Sequence, residues 1–269
     1  MILDRIVEST RRSLAERKAR TPLSGLERAA GRREPPRDFA SALRGETISL
    51  IAEVKRASPS KGVLCPNLEA SSLARVYSRG GAAAISVLTE PEYFRGSFAD
   101  LEAVSAEAGL PVLCKDFIVD RYQVYEARAH GADAVLLIAA ILTQRELEDL
   151  LEVARSLDMT ALVEVHNRGE LDRALSLSPR VVGVNNRNLA DFTVDLGTTL
   201  ALRPAIPPGV VVVSESGIHT RDDVLKLQEA NVDAILVGEA LVTSPDPGAK
   251  IQELLGRSAQ MTAIECNKG

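Results

Sequence analysis

From Ile48 onward, short apolar runs alternate with longer amphipathic stretches: ISLIAEV, AAAISVL, PVLCKDF, AVLLIAA, TALVEV, VVGVNN, VVVVSES and AILVG. Runs this short, rich in Val and Ile, predict buried strands. The stretches between them carry helical spacing and helical end signals, predicting helices over 68–78, 98–108, 120–130, 143–157, 167–176, 196–202, 220–230 and 247–255. Gly80 and Gly81, Gly109 and Gly131 close the first three of these, where a chain leaves a helix through the left-handed region. In 143–157, Glu146, Glu148 and Asp149 come early and Arg155 late, the order that the helix dipole favours.

A buried strand followed each time by a helix implies parallel pairing, because the crossover must be long enough to return the chain to the same edge. Eight such units in about 210 residues fit a closed (β/α)8 barrel better than an open doubly wound sheet. The expected organisation is a single α/β domain: an N-terminal helical extension at 1–46, the barrel at 47–255 and a flexible tail at 256–269. In the extension, Ile2, Leu3, Ile6, Val7 and Leu14 share one helical face, and the segments TPLSG and GRREPPRD follow. The plain reading is a docked helix and a solvated linker; the functional one is a cover over one mouth of the barrel that excludes water.

Closure gives side-chain parity a meaning. Successive residues of a strand face opposite ways. In the run IAEVK, Ala52 and Val54 suit the helix layer, so Glu53 and Lys55 point into the barrel. The same parity sends Leu113 and Lys115 inward and Cys114 outward, and brings in Leu162 with Glu164, Asn185 with Arg187, and Val213 with Glu215. Unpaired ions in a low-dielectric interior cost several kcal/mol each. Lysines, glutamates and an amide converging there therefore point to acid and base chemistry, because barrel active sites sit at the carboxyl ends of the strands. The seventh and eighth runs end in Ser214-Glu215-Ser216-Gly217-Ile218 and Val237-Gly238-Glu239-Ala240-Leu241. Glycines there open the backbone to an anion, and these two loops are the common phosphate site of such barrels. The loop Arg56 to Gly62 reads either as a polar turn or as a lid with hydroxyls and a cation.

Composition narrows the classes. The chain has 269 residues, 45% hydrophobic and 26% charged, with a net charge of -5; aromatics are 3% and Trp is absent. Nucleic acid is not an expected partner, given no basic excess and few rings for stacking. No apolar run approaches the roughly 20 residues of a membrane span, and charges from Asp4 to Arg20 argue against a secretory leader. Cys65, Cys114 and Cys266 have no pairing or ligand spacing, and neither do His130, His166 and His219, so no metal is expected and a reducing cytoplasm is. A monomer is expected.

The strings IAEVKRASPSKG, SVLTEPEYFRGS, CKDFI, LVEVH, GVNNRNL, SESGI and VGEAL resemble the indole-3-glycerol phosphate synthase family, with motifs in family order at nearly every strand end. The resemblance runs from the first helix to about residue 255 with no departure at the motif positions, and a fused second isomerase barrel is not expected. It implies a cofactor-free, metal-free conversion of 1-(2-carboxyphenylamino)-1-deoxyribulose 5-phosphate into indole-3-glycerol phosphate, releasing carbon dioxide and water. By the resemblance, Lys115 is the general acid at the ketone oxygen and Glu164 acts in ring closure and dehydration. Lys55 lies near the carboxylate and phosphate and works with Glu53, while Asn185 and Glu215 orient substrate and catalytic groups. Ser216, Gly217, Gly238 and Glu239 hold phosphate. Ser58 and Arg187 support the carboxylate side, and Phe94, Phe117 and Leu137 form the apolar slot for the ring. A phosphosugar isomerase, a Schiff-base aldolase and a barrel that only binds a phosphorylated metabolite remain as rivals on the residues alone.

Overall fold

The computed structural model describes residues 2–189 and 191–257; most of the tail expected at 256–269, Cys266 included, lies outside the described residues. Within them, eight parallel strands close into a barrel: β1 (Ser49–Val54), β2 (Ala84–Leu88), β3 (Val112–Lys115), β4 (Ala134–Ile138), β5 (Thr160–Val165), β6 (Val181–Asn185), β7 (Val211–Glu215) and β8 (Ala234–Val237). Each pairs with the next, and β8 returns to β1 with Leu50 opposite Ile235 and Ala52 opposite Val237. Ahead of β1 come α1 (Ile2–Arg20), α2 (Leu23–Ala30) and α3 (Phe39–Ala42). The crossovers are α4 (Ala70–Gly80), α5 (Phe98–Glu107), α6 (Arg121–Ala129), α7 (Gln144–Ser156), α8 (Arg168–Leu175), α9 (Gly197–Leu202) and α10 (Arg221–Glu229), and α11 (Glu239–Val242) and α12 (Pro247–Leu255) follow β8. Among the described residues, no helix is long and apolar enough to cross a membrane.

Most of the crossover helices begin where a side chain can take an orphan backbone N–H. Asp120, Thr143, Asn167 and Thr220 cap α6, α7, α8 and α10, so expected starts at 120, 143, 167 and 220 fall on the cap, one position early. Glu69 caps α4 through Ser71 and Ser72, which moves that helix two residues later than its apolar spacing suggests.

Parity divides the core in two. Val54, Val87, Cys114, Val135, Val163, Val184 and Val212 pack in the layer between strands and helices, whereas Ile51, Leu113, Leu136, Leu162, Val213 and Leu236 fill the barrel. Leu137 belongs to the outer layer and is fully buried there, so it does not line the slot expected of it; Leu136 and Ile138 face inward instead. The run AVLLIAA contains no polar residue to mark its inner face, so its pattern fits either register.

The linker reading is also revised. TPLSG opens α2, and Phe39, Ala40 and Leu43 are buried against the inward residues at the amino ends of the strands, closing the base of the barrel. Residues 31–38 are mostly exposed but tied down: Arg33 Nε donates to Ala129 O at 2.8 Å, and Asp133 accepts from Arg37 N at 2.9 Å.

Candidate active site

At the opposite rim a cavity of about 200 Å³ opens among the carboxyl ends of the strands. Its walls include Glu53, Lys55, Ser58, Phe94, Lys115, Phe117, Glu164, Asn185, Arg187, Glu215, Ser216, Gly217, Gly238 and Glu239; Leu137 alone of the expected residues is missing. Ile2, Leu3 and Ile6 of α1 roof it, the covering position allowed by the functional reading of the extension.

The floor is one charged layer. Glu53, Lys115, Glu164 and Glu215 come from alternate strands, β1, β3, β5 and β7, the composition of a single tier of a barrel interior. Lys115 Nζ stands 2.8 Å from Glu215 Oε2 and 3.3 Å from Glu164 Oε2, and Lys55 Nζ stands 2.7 Å from Glu53 Oε2. Burial opposes the charge on Lys115, but Glu215, Glu164 and Glu53 together raise its pKa well above the ordinary lysine value. The carboxylates diverge. Burial penalises ionised Glu164, yet Lys115, His166 and Asn185 draw its pKa far below the usual range. Burial lifts Glu215 to about 7, with Lys115 opposing and Glu164 adding to the rise. Carboxyl groups driven apart in this way can divide acid and base duties.

Two glycines clear the space. A Cβ at Gly183, on β6, would collide with Glu215 Oε1, and one at Gly238 would collide with Glu53 Oε2 and lie 3.1 Å from Lys55 Nζ. The Glu53–Lys55 pair therefore lies directly against the loop after β8. After β7, Ser216 at φ 67° and Gly217 at φ 81° are both left-handed, which turns the chain sharply beneath the cavity. Ser216 bears the cost that a side chain adds there. This turn is held by Asn186, a residue the sequence reading passed over: its Nδ2 donates to Glu215 O at 2.9 Å and Ser216 O at 3.1 Å, and its Oδ1 accepts from Thr199 Oγ1 at 2.8 Å. The doubled Asn in VVGVNN was the available signal.

The apolar wall consists of Phe94 and Phe117, with ring centroids 5.9 Å apart, together with Leu136 and Ile138. Buried carboxylates set both rings: Glu90 accepts from Phe94 N at 3.1 Å, and Asp116 accepts from Phe117 N at 2.7 Å. The loop after β1 is a small hairpin, Ala57–Ser58 against Gly62–Val63, with Lys61 Nζ 3.0 Å from Glu239 Oε1. Ser58 lines the cavity from this hairpin, and Arg187 lines it from just beyond β6, donating to Phe192 O at 3.3 Å.

A model of the indole-3-glycerol phosphate synthase family matches residues 3–254. The indole-3-glycerol phosphate synthase of Dehalococcoides mccartyi is 51% identical over 260 residues, covering 95% of this chain and 100% of its own length. Indole-3-glycerol phosphate synthase 1 of Streptomyces coelicolor is 48% identical over 254 residues, 94% of each chain. Among solved structures, 3-hexulose-6-phosphate synthase from Salmonella typhimurium aligns with a TM-score of 0.64 at 13% identity, over 78% of this chain and 97% of that one. Thiamine phosphate pyrophosphorylase from Pyrococcus furiosus aligns at 0.59 and 20%, over 81% and 96%. These two likenesses are of fold alone.

Proposed function

The chain belongs to the indole-3-glycerol phosphate synthase family, and from that premise we propose how its rim closes the ring of 1-(2-carboxyphenylamino)-1-deoxyribulose 5-phosphate, with loss of carbon dioxide and water, to give indole-3-glycerol phosphate. The observation that carries the reading is the Lys115 ammonium held between Glu215 and Glu164 under an aromatic wall.

Phosphate sits on the backbone of Ser216, Gly217, Gly238 and Glu239, with Lys55 beside it. The anthranilate ring lies on Phe94, Phe117, Leu136 and Ile138, its carboxylate toward Ser58, Arg187 and Lys55. Ring closure forms a bond from the carboxylate-bearing aromatic carbon to the ketone carbon while Lys115 delivers a proton to the ketone oxygen. An alkoxide is a stronger base than a lysine amine, so a lysine fully protonated at neutral pH still donates readily. Release of carbon dioxide restores the aromatic electrons. Dehydration then needs one group to protonate the departing hydroxyl and another to remove the remaining proton; Glu164, with Glu53 and Lys55, serves here, while Asn185 and Glu215 orient the hydroxyls and Lys115. The raised Lys115 pKa favours this reading over a Schiff-base aldolase, whose lysine must be neutral to attack. The proposed working unit is a monomer of one domain, in the reducing cytoplasm suited to its free Cys65 and Cys114.

The fluorescence of the indole product reports turnover directly. Lys115→Met is expected to lower kcat about 10²- to 10⁴-fold, the usual contribution of one general acid. Full activity in Lys115→Arg, or isomerase activity without indole formation, overturns the assignment.

A further inference from the structure

Glu164 is held on two sides. Lys115 Nζ lies 3.3 Å from Oε2, and His166 Nε2 lies 3.3 Å from Oε1, an ion-pair contact whose angle falls short of hydrogen-bond alignment. His166 directly follows β5, and only 11% of its side chain is exposed. Glu170, in the first turn of α8, grips the ring from behind: its Oε2 is 3.1 Å from Nδ1 and accepts the backbone N–H of His166 at 2.8 Å. Glu170 is itself fixed by Asn167, whose Nδ2 donates to Oε1 at 2.7 Å and whose Oδ1 accepts the Glu170 backbone N–H at 3.0 Å. Lys115, Glu164, His166 and Glu170 thus form a row of alternating charge across the end of β5.

An imidazole between two carboxylates keeps both ring protons. Burial works against the charge, but Glu164 and Glu170 prevail and raise the His166 pKa to about 10. The other charged groups that line the cavity beside His166 are Asp4, Glu8 and Arg11 of α1, and Arg187 and Asp195 of the loop after β6.

We propose that His166, braced by Glu170, is the positioning residue of Glu164: it fixes the plane of the carboxylate and supplies the positive charge that remains after Lys115 has given up its proton. The inference rests on the reading of Glu164 and Lys115 above. Once Lys115 turns neutral, Glu53, Glu164 and Glu215 share a tier that has lost its own cation, and Lys55 is engaged with Glu53. A cation that takes no part in the transfer holds Glu164 ready to accept a proton at that moment.

The test is the pH dependence of kcat and KM in the full chain for His166→Leu, His166→Gln and Glu170→Gln. His166→Leu is expected to lower kcat roughly 10- to 100-fold, the effect of losing one charged contact to the reacting group, with KM little changed. It should also raise the acidic limb of the kcat profile by about one pH unit. His166→Gln, which returns a neutral donor near the Nε2 position, should recover only the part of the rate owed to positioning while the limb stays displaced, and Glu170→Gln, which leaves the ring charged at the pH of that limb, should lower kcat without raising the limb. An unmoved limb in both His166 variants, or losses that track only a lower melting temperature, overturns the proposal. A second reading needs no turnover: in 15N-histidine spectra His166 should stay doubly protonated to above about pH 8, and a ring titrating near the ordinary value of about 6.5 overturns the proposal. Absence of indole formation by the unmodified chain counts against the reading of the reaction, and these spectra still decide the role of His166.

Discussion

Gly183 is the residue that gives Glu215 its place. Gly183 faces inward without a side chain, so the Glu215 carboxyl turns into the gap and meets Lys115 at 2.8 Å. Gly183→Ala is expected to cost about 1 to 3 kcal/mol through overpacking, because its methyl would also lie 3.2 Å from Leu162 Cδ1. Activity should fall further than stability accounts for, since Glu215 must leave Lys115; kcat at a temperature well below melting, alongside the thermal midpoint, separates the two effects. At this scale the sequence was legible wherever a charged residue marked the inner face of a strand, as Glu53, Lys115, Glu164 and Glu215 did. It failed at Leu137 because AVLLIAA is apolar on both faces, and only pairing with β5, which sets Leu136 opposite Leu162, decides the register.

Among the elements, α1 illustrates how a lid is fastened by polar contacts. Ser9 hydrogen-bonds Glu92, Arg17 Nε lies 3.0 Å from Glu126 Oε1, Lys18 Nζ lies 2.6 Å from Asp120 Oδ2, and Tyr122 Oη donates to Thr21 O at 3.0 Å. Burial raises Glu126 to about 7, with Arg17 opposing and Asp116 adding to the rise. Without Arg17 the folded-state pKa climbs further above its unfolded value, so ionising Glu126 in the folded chain becomes a penalty that is absent at low pH and complete above the new pKa. Arg17→Ala should therefore destabilise little at pH 5 and by about 2 kcal/mol at pH 8, read from urea midpoints at the two pH values. An equal loss at both would assign the effect to packing alone. The helix α1 could be read from its apolar spacing, and the capped crossovers to within a residue or two. The helix α3 could not: FASA spans one turn, too short for any period, and Phe39 is buried only because a barrel base exists above it.

For the molecule as a whole, the charged tier occupies a level that barrels normally fill with Val, Ile and Leu. Buried ion pairs are weak contributors to stability, and replacing both partners by apolar groups is often stabilising by about 1 to 4 kcal/mol, whereas removing one partner costs about 3 to 5. Lys115→Met should thus melt well below the unmodified chain, leaving Glu164 and Glu215 without their shared cation. The double variant Lys115→Met/Glu215→Leu should melt at or above it while lacking activity, because Glu164 retains His166 and Glu53 retains Lys55. A double variant less stable than the single one would show that the tier holds the barrel together. The closed barrel was legible from the strand and helix alternation because each unit is local. Of the two seals, the roof by α1 was one of two readings open in the sequence, whereas the base was not legible, because it depends on a surface assembled from distant parts of the chain.

Both seals come from the first 43 residues: α1 roofs the rim, and Phe39 to Leu43 stop the base. The base contacts reach Ala84, Ala134, Val181, Val211 and Ala234, so their seat is incomplete until the last strand is in place. A chain made from its amino end therefore carries its stopper and its roof while all eight strands are made, before there is a vessel to close. The seat of Phe39 to Leu43 is complete only once β8 has emerged.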